Sequence, residues 1–197
     1  MPDMTIAGRL RPHSQTHAWV YDGLLVLGAS WALAVSAQVA VVLPFSPVPV
    51  TAQTFAVLLL AALLGPSRGA AAVMLYIMEG LAGWPVFAGG AAGLPHLLGP
   101  TGGYLMGFIG AAAVVGALAQ RGWDRSLLSA LAAMTLGTAI IFLCGLAGLA
   151  IYLDEGDLLA LGLVPFLPGA ALKIILAALV LSMGRRLPGL QGNSSTG

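Results

Sequence analysis

A single lysine stands inside a long apolar run. Lys173 follows Pro165-Phe166-Leu167-Pro168-Gly169 by one helical turn. An ammonium at the centre of a lipid-embedded helix costs about 2.5–3.5 kcal/mol. Two chemistries account for keeping one there. It meets an anion such as a carboxylate, or it snorkels to a nearby headgroup layer. Glu79 ends another apolar run. It supports a loop, pairs with Lys173, or sits as an exposed interfacial carboxylate. Thr51 and Gln53 follow a proline-rich stretch and offer a hydroxyl and an amide, either to a polar ligand or as a helix cap. Tyr104 follows Gly99-Pro100-Thr101-Gly102-Gly103 and either lines a pocket or joins an interfacial aromatic belt. Asp154, Glu155 and Asp157 read as a solvated loop, and Asp22 as the inner edge of the first apolar run.

Other chemistries lack their residues. There is no Gly-x-x-x-x-Gly-Lys-Ser/Thr phosphate cradle and no His-Glu-x-x-His. His13, His17 and His96 are not spaced as a metal site, and the one cysteine, Cys144, reads as a small core residue. Acids within apolar runs are nearly missing, so neither a proton-driven transporter acting alone nor a membrane enzyme is supported. The chain has 197 residues, 59% hydrophobic and 8% charged. A soluble domain carries roughly 25% charged residues, so this chain cannot coat itself against water. A net charge of +1 excludes a basic nucleic-acid binder.

The elements that must hold these residues are therefore transmembrane helices, each needing about 20 apolar residues. Proline, glycine and charge clusters divide the sequence into runs at 21–43, 51–64, 69–81, 103–119, 127–153 and 164–183. The runs are continuous rather than alternating, which argues against a β-barrel. The expected fold is an all-α membrane protein, a six-transmembrane-helix bundle spanning 21–186 with irregular outer loops forming a lid. A cytoplasmic segment 1–20 precedes it and a disordered tail 187–197 follows. Five spans is the alternative, if 51–64 and 69–81 form one block. With six spans and both termini inside, Arg9, Arg11, Arg68, Arg121, Arg125, Arg185 and Arg186 all fall on the cytoplasmic side, as the positive-inside rule requires. The outer connections 44–50 and 82–102 are crowded with Pro, Gly and aromatics. They read either as a compact lid or as rigid interfacial connectors. Gly28, Ala32, Ser36 and Ala40 form a small-residue stripe on the first helix. It allows close helix approach, inside the bundle on pattern alone or against another membrane subunit. Gly103 and Gly107 repeat the spacing, with an internal reading.

Four strings add a resemblance. Pro44-Phe45-Ser46-Pro47-Val48-Pro49-Val50-Thr51-Ala52-Gln53-Thr54, Gly83-Trp84-Pro85-Val86-Phe87-Ala88-Gly89-Gly90, Leu98-Gly99-Pro100-Thr101-Gly102-Gly103-Tyr104-Leu105, and Pro165-Phe166-Leu167-Pro168-Gly169 with Lys173 occur in this order. Together they resemble the BioY family, the biotin-specific substrate-binding (S) components of energy-coupling factor transporters. The resemblance implies a six-helix protein of the plasma membrane that captures biotin from outside and needs no cofactor. It implies partnership with a transmembrane coupling subunit and two ATPase subunits, which fits the missing nucleotide loop. It adds Phe87 and Gly89 to Lys173, Gln53, Thr51, Tyr104 and Glu79 as ligand-site candidates. It also favours Ala32 and Ser36, with Gly28 and Ala40, as the coupling-subunit contact. Two positions depart from the pattern. Ala170 stands where the family usually has Asp, and Trp84 where Leu is common. Asp and Lys at i, i+3 share a helix face, so Lys173 here lacks its usual neighbour. The remaining readings are an S component for another vitamin, a stand-alone facilitator, and a structural membrane subunit.

Overall fold

The computed structural model describes residues 5–153 and 155–184. Asp154, the Glu155 side chain, Arg185, Arg186 and the tail expected at 187–197 lie outside the described residues. The described chain is mainly helical. In order it forms α1 (Ile6–Arg9), α2 (Gln15–Gln38), β1 (Ala40–Val41), β2 (Val50–Thr51), α3 (Gln53–Leu64), α4 (Pro66–Leu81), α5 (Leu94–Leu97), α6 (Gly102–Gln120), α7 (Leu127–Leu149), α8 (Glu155–Gly162) and α9 (Leu167–Gly184). Short 3-10 turns lie at Ala88–Gly90 and Val164–Phe166.

Among the described residues, four stretches are long and apolar enough to cross a membrane: Gln15–Gln38, Gly102–Gln120, Leu127–Leu149 and Asp157–Met183. The six-span expectation meets a length limit in α3 and α4. At 1.5 Å per residue their 12 and 16 residues span about 18 and 24 Å, short of a hydrocarbon core of about 30 Å. The turn between them explains how they pair. Gly65 takes φ 87°, ψ 174°, a conformation that costs little only without a Cβ. Pro66 then starts α4 with its ring already at helical φ. The chain reverses on one residue, tighter than the four-residue turn expected from sequence.

Other boundaries also move. Helix α2 starts at Gln15, because Gln15, Thr16 and His17 extend the helix ahead of the apolar run, behind Ser14. It ends at Gln38, because the chain leaves to pair Ala40 with Thr51 and Val41 with Val50, antiparallel. No strand was expected, and the ladder is only two residues long. The 154–163 segment, read as a solvated loop, is mostly helix α8, although Asp157 is exposed.

Helix α6 is the centre of the bundle. More than half of its apolar window is buried, against a third or less in the other three. Glycines set how closely it packs. A Cβ on Gly116 would lie 2.4 Å from Pro66 N and 2.5 Å from Gly65 C. Gly103 lies against the backbone of Cys144 and Gly148, and Gly107 against Ile141, so this pair packs internally on α7. The stripe on α2 does the opposite. Ala29, Ser30, Leu33 and Ala37 face the bundle, while Gly28 and Ala32 are exposed. Ser36 bonds its own Leu33 carbonyl at 2.7 Å. Ala40 lies beyond the helix, in β1. The internal reading of the stripe is thus corrected. So is that of Cys144, which is exposed on α7 rather than in the core.

The helix ends divide the charges. Asp22 bridges Arg68 at 2.7 Å and Arg11 at 2.8 Å, close to the α3–α4 turn. Arg121 and Arg125 flank the α6–α7 turn at the same end. The opposite end carries the 39–52 and 82–101 segments.

Candidate ligand-binding site

A cavity opens at that opposite end. Counting its mouth, it encloses about 770 Å³ of empty space. Its walls come from the 48–51 segment, α3, α4, α5, α6, α7 and α9, and from the two 3-10 turns. Helix α2 is the one long helix that contributes nothing to it. Leu58, Leu105, Phe108, Ile141, Phe142 and Phe166 make most of the wall apolar.

Of the residues expected at the site, the structure brings together Lys173, Thr51, Gln53 and Tyr104. Lys173 Nζ donates to the Thr51 carbonyl and, at 3.1 Å, to Thr54 Oγ1. Thr51 Oγ1 donates to Gln53 Oε1 at 3.1 Å. Gln53 Nε2 donates to the Tyr76 hydroxyl at 2.8 Å, and that hydroxyl donates to the Val86 carbonyl at 3.2 Å. One polar belt therefore runs from α9 through β2, α3 and α4 into the 82–101 segment. Gln53 and Tyr76 are buried, where an unbonded polar group would cost about 1–3 kcal/mol. The belt satisfies them and fixes their positions. Ala170 also faces the cavity. The neighbour that Lys173 lacks at that position is replaced by a backbone carbonyl from another element.

Tyr104 presents its ring to the cavity. Its hydroxyl is already committed to the Gly162 carbonyl at 2.7 Å, tying α6 to the end of α8. Ser46 binds the neighbouring Leu161 carbonyl at 2.8 Å, so the proline-rich segment meets α8 as well.

Three expected residues lie outside the lining. Phe87 is fully buried behind it. It meets Tyr76 edge-on at 5.6 Å and stacks on His96 at 4.9 Å. Gly89 has φ 70° in the Ala88–Gly90 turn, is exposed, and has open space where a Cβ would be. Glu79 accepts a 2.6 Å hydrogen bond from Ser30 Oγ, joining α4 to α2, rather than pairing with Lys173. Phe87 also fills the space above Gly80, where a Cβ would lie 2.1 Å from its ring. Gly80→Ala is therefore expected to push the ring and its two neighbours. Overpacking of this kind costs about 1–3 kcal/mol, read as a lower thermal midpoint in detergent.

Sequence reasoning missed Thr54, Tyr76, His96, Thr101 and Thr138, all of which line the cavity. Thr54 was within reach, one turn after Thr51 in the quoted motif. Tyr76 and Thr138 sit in apolar runs where nothing local marks them. His96 is half-buried on α5, and burial holds its pKa below the usual value. Burial thus favours its neutral form. Its Nε2 lies 3.3 Å from Thr101 Oγ1.

Among the described residues no acid lines the cavity, and Lys173 is the one fixed cation there. Such a cavity suits a small anion with an apolar body. The fold and the cavity define a helical membrane protein with a small-molecule site at one end. The particular family follows from comparison: the chain belongs to the BioY family, which matches residues 11–189. It is 38% identical over 164 residues to the biotin transporter BioY of Thermotoga maritima, covering 83% of this chain and 90% of that one. It is 36% identical to the probable biotin transporter BioY of Pyrococcus horikoshii, covering 81% and 90%. Its fold matches the crystal structure of the S-component for biotin from an ECF-type ABC transporter. The TM-score there is 0.79 at 22% identity, covering 89% of this chain and 95% of that one.

Proposed function

We propose that this protein is the S component of a biotin uptake transporter. It captures biotin on the outer side for ATP-driven import with a transmembrane coupling subunit and two ATPase subunits. The observation that carries the reading is the acid-free apolar cavity with the Lys173 ammonium at its wall. Biotin is a carboxylic acid with an apolar bicycle and chain, and its charge and shape complement that cavity. Its named relatives are biotin transporters.

In this reading Lys173, Gln53 and Thr51 meet the ligand's polar groups, and Tyr104 packs against its apolar part. Phe87, Gly89 and Glu79 shape the site from behind. The 39–52 and 82–101 segments act as the lid. They complete the two short crossings of α3 and α4, giving six spans. Arginines at the far end support a cytoplasmic location for that end and, with six spans, for both termini. The exposed Gly28 and Ala32, on a helix that does no cavity work, supply the coupling-subunit face.

Titration of the detergent-purified protein with biotin tests the reading, using intrinsic tryptophan fluorescence. Trp84, on the 82–101 segment, provides a reporter near the cavity. Saturation below micromolar biotin, uncompeted by thiamine or riboflavin, is the expected result. Absence of any saturable response overturns it. Uptake by vesicles holding this chain alone, without ATP, points instead to a facilitator.

A further inference from the structure

Helix α5 has only four residues, yet it carries a titratable side chain to the cavity. His96 is held there from two sides. Its ring stacks on Phe87 at 4.9 Å with the planes 16° apart. Phe87 is itself immobilised, with no exposed surface, between Gly80 and Tyr76. Thr101, at the start of α6, reaches the other edge with Oγ1, which lies 3.3 Å from Nε2 and 3.3 Å from the His96 carbonyl oxygen. The imidazole is thus a fixed part of the wall that Lys173 shares.

The surroundings decide what its protonation would do. The titratable groups on the elements packed around it are Tyr76 and Glu79 on α4, Tyr104 on α6, Lys173 on α9 and Tyr152 after α7, whose hydroxyl donates to the Leu98 carbonyl at the end of α5. Tyr104 is bonded to Gly162 and Tyr76 to Val86. Glu79 is turned to Ser30 on α2. Among the described residues no carboxylate lines the cavity to neutralise a second cation. That role is left for a ligand.

We propose that His96 is a ligand-contacting residue that recognises the carboxylate of the bound acid and makes its affinity depend on pH. The inference rests on the biotin reading above. Protonated imidazole gives the cavity two positive groups instead of one, and both ring nitrogens become donors. An anion favours the protonated form, so by linkage affinity rises as pH falls through the imidazole's value. Burial keeps that value below the ordinary one, so the rise falls on the acid side of neutrality. An alkyl carboxylate, with a pKa of about 4.3, stays ionised through this range.

The experiment is biotin titration of the intact detergent-purified protein at steps from about pH 7.5 to about pH 5.5. Biotinamide, which has no carboxylate, is the companion ligand. Affinity for biotin is expected to rise about fivefold across this window. His96→Gln and His96→Asn keep a polar side chain without the titration, and each is expected to bind with a flat profile. His13→Gln and His17→Gln, at the far end of the bundle, keep the slope. The biotinamide profile is flat in every variant. A flat biotin profile in the unmodified protein, a slope that survives in either His96 variant, or an equal slope with biotinamide overturns the inference. Failure to bind biotin at any pH is a different result, and it removes the biotin reading itself.

Discussion

Lys173→Ala is expected to abolish tight biotin binding while leaving a folded protein. A hydrogen bond to a charged group contributes about 1.5–3 kcal/mol, and each 1.4 kcal/mol is tenfold in affinity. The loss is therefore roughly 10- to 150-fold. The variant also frees the Thr51 carbonyl and Thr54 Oγ1, the two acceptors that Lys173 now occupies. Both sit at the cavity wall, where water can replace the ammonium, so the stability change stays smaller than the binding change. Isothermal titration of Lys173→Ala beside Lys173→Arg separates the two effects. Arginine restores the charge but not the compact geometry, and it is expected to recover part of the affinity. Unchanged affinity in the alanine variant would remove this lysine from recognition.

A large effect on stability is expected at Gly116. Where Gly80 meets a side chain, Gly116 meets backbone. A methyl group there would lie 2.4 Å from Pro66 N and 2.5 Å from Gly65 C. No rotamer change relieves that contact. Either α6 moves off the α3–α4 turn or the turn itself deforms. Gly116→Ala is expected to cost about 3 kcal/mol, the upper part of the overpacking range. Gly28→Ala is the internal control, since nothing lies within 4 Å of a Cβ at that position. Thermal unfolding of both variants in the same detergent measures the contrast. Equal midpoints would refute the packing argument.

The sequence predicts the fold class well where a signal is local, and less well where contacts are distant. Long apolar runs mark α6, α7 and α9 within a few residues and α2 less closely, because a bilayer imposes their length. The positions that stop them are less certain. The β1–β2 ladder depends on two short segments meeting across the intervening prolines, and no periodicity records such an encounter. Helix α8 was masked by acids that suggested a loop. At the cavity, Lys173, Thr51, Gln53 and Tyr104 stand out as polar groups beside apolar runs. Tyr76 is equally polar, but an isolated tyrosine in a helix usually belongs to the packing. Phe87 was placed in the right region but on the wrong side of the wall. Only the Gly80 gap and the His96 ring show that it is a support. The replacement partner for Lys173 was beyond any local reading, since a backbone carbonyl 122 positions away leaves no trace in composition.

That carbonyl has a mechanical meaning. A carboxylate on α9 would travel with the lysine and keep it neutralised whatever the rest of the protein did. The Thr51 oxygen belongs instead to the end of the proline-rich segment. Any outward swing that carries Thr51 away leaves the ammonium with Thr54 Oγ1 as its remaining partner, facing an apolar chamber. The electrostatic penalty then acts as a restoring spring, pulling the segment back. An arriving anion relaxes that spring by standing in for the missing dipole, so the charge that draws a guest in also sets the tension on the door.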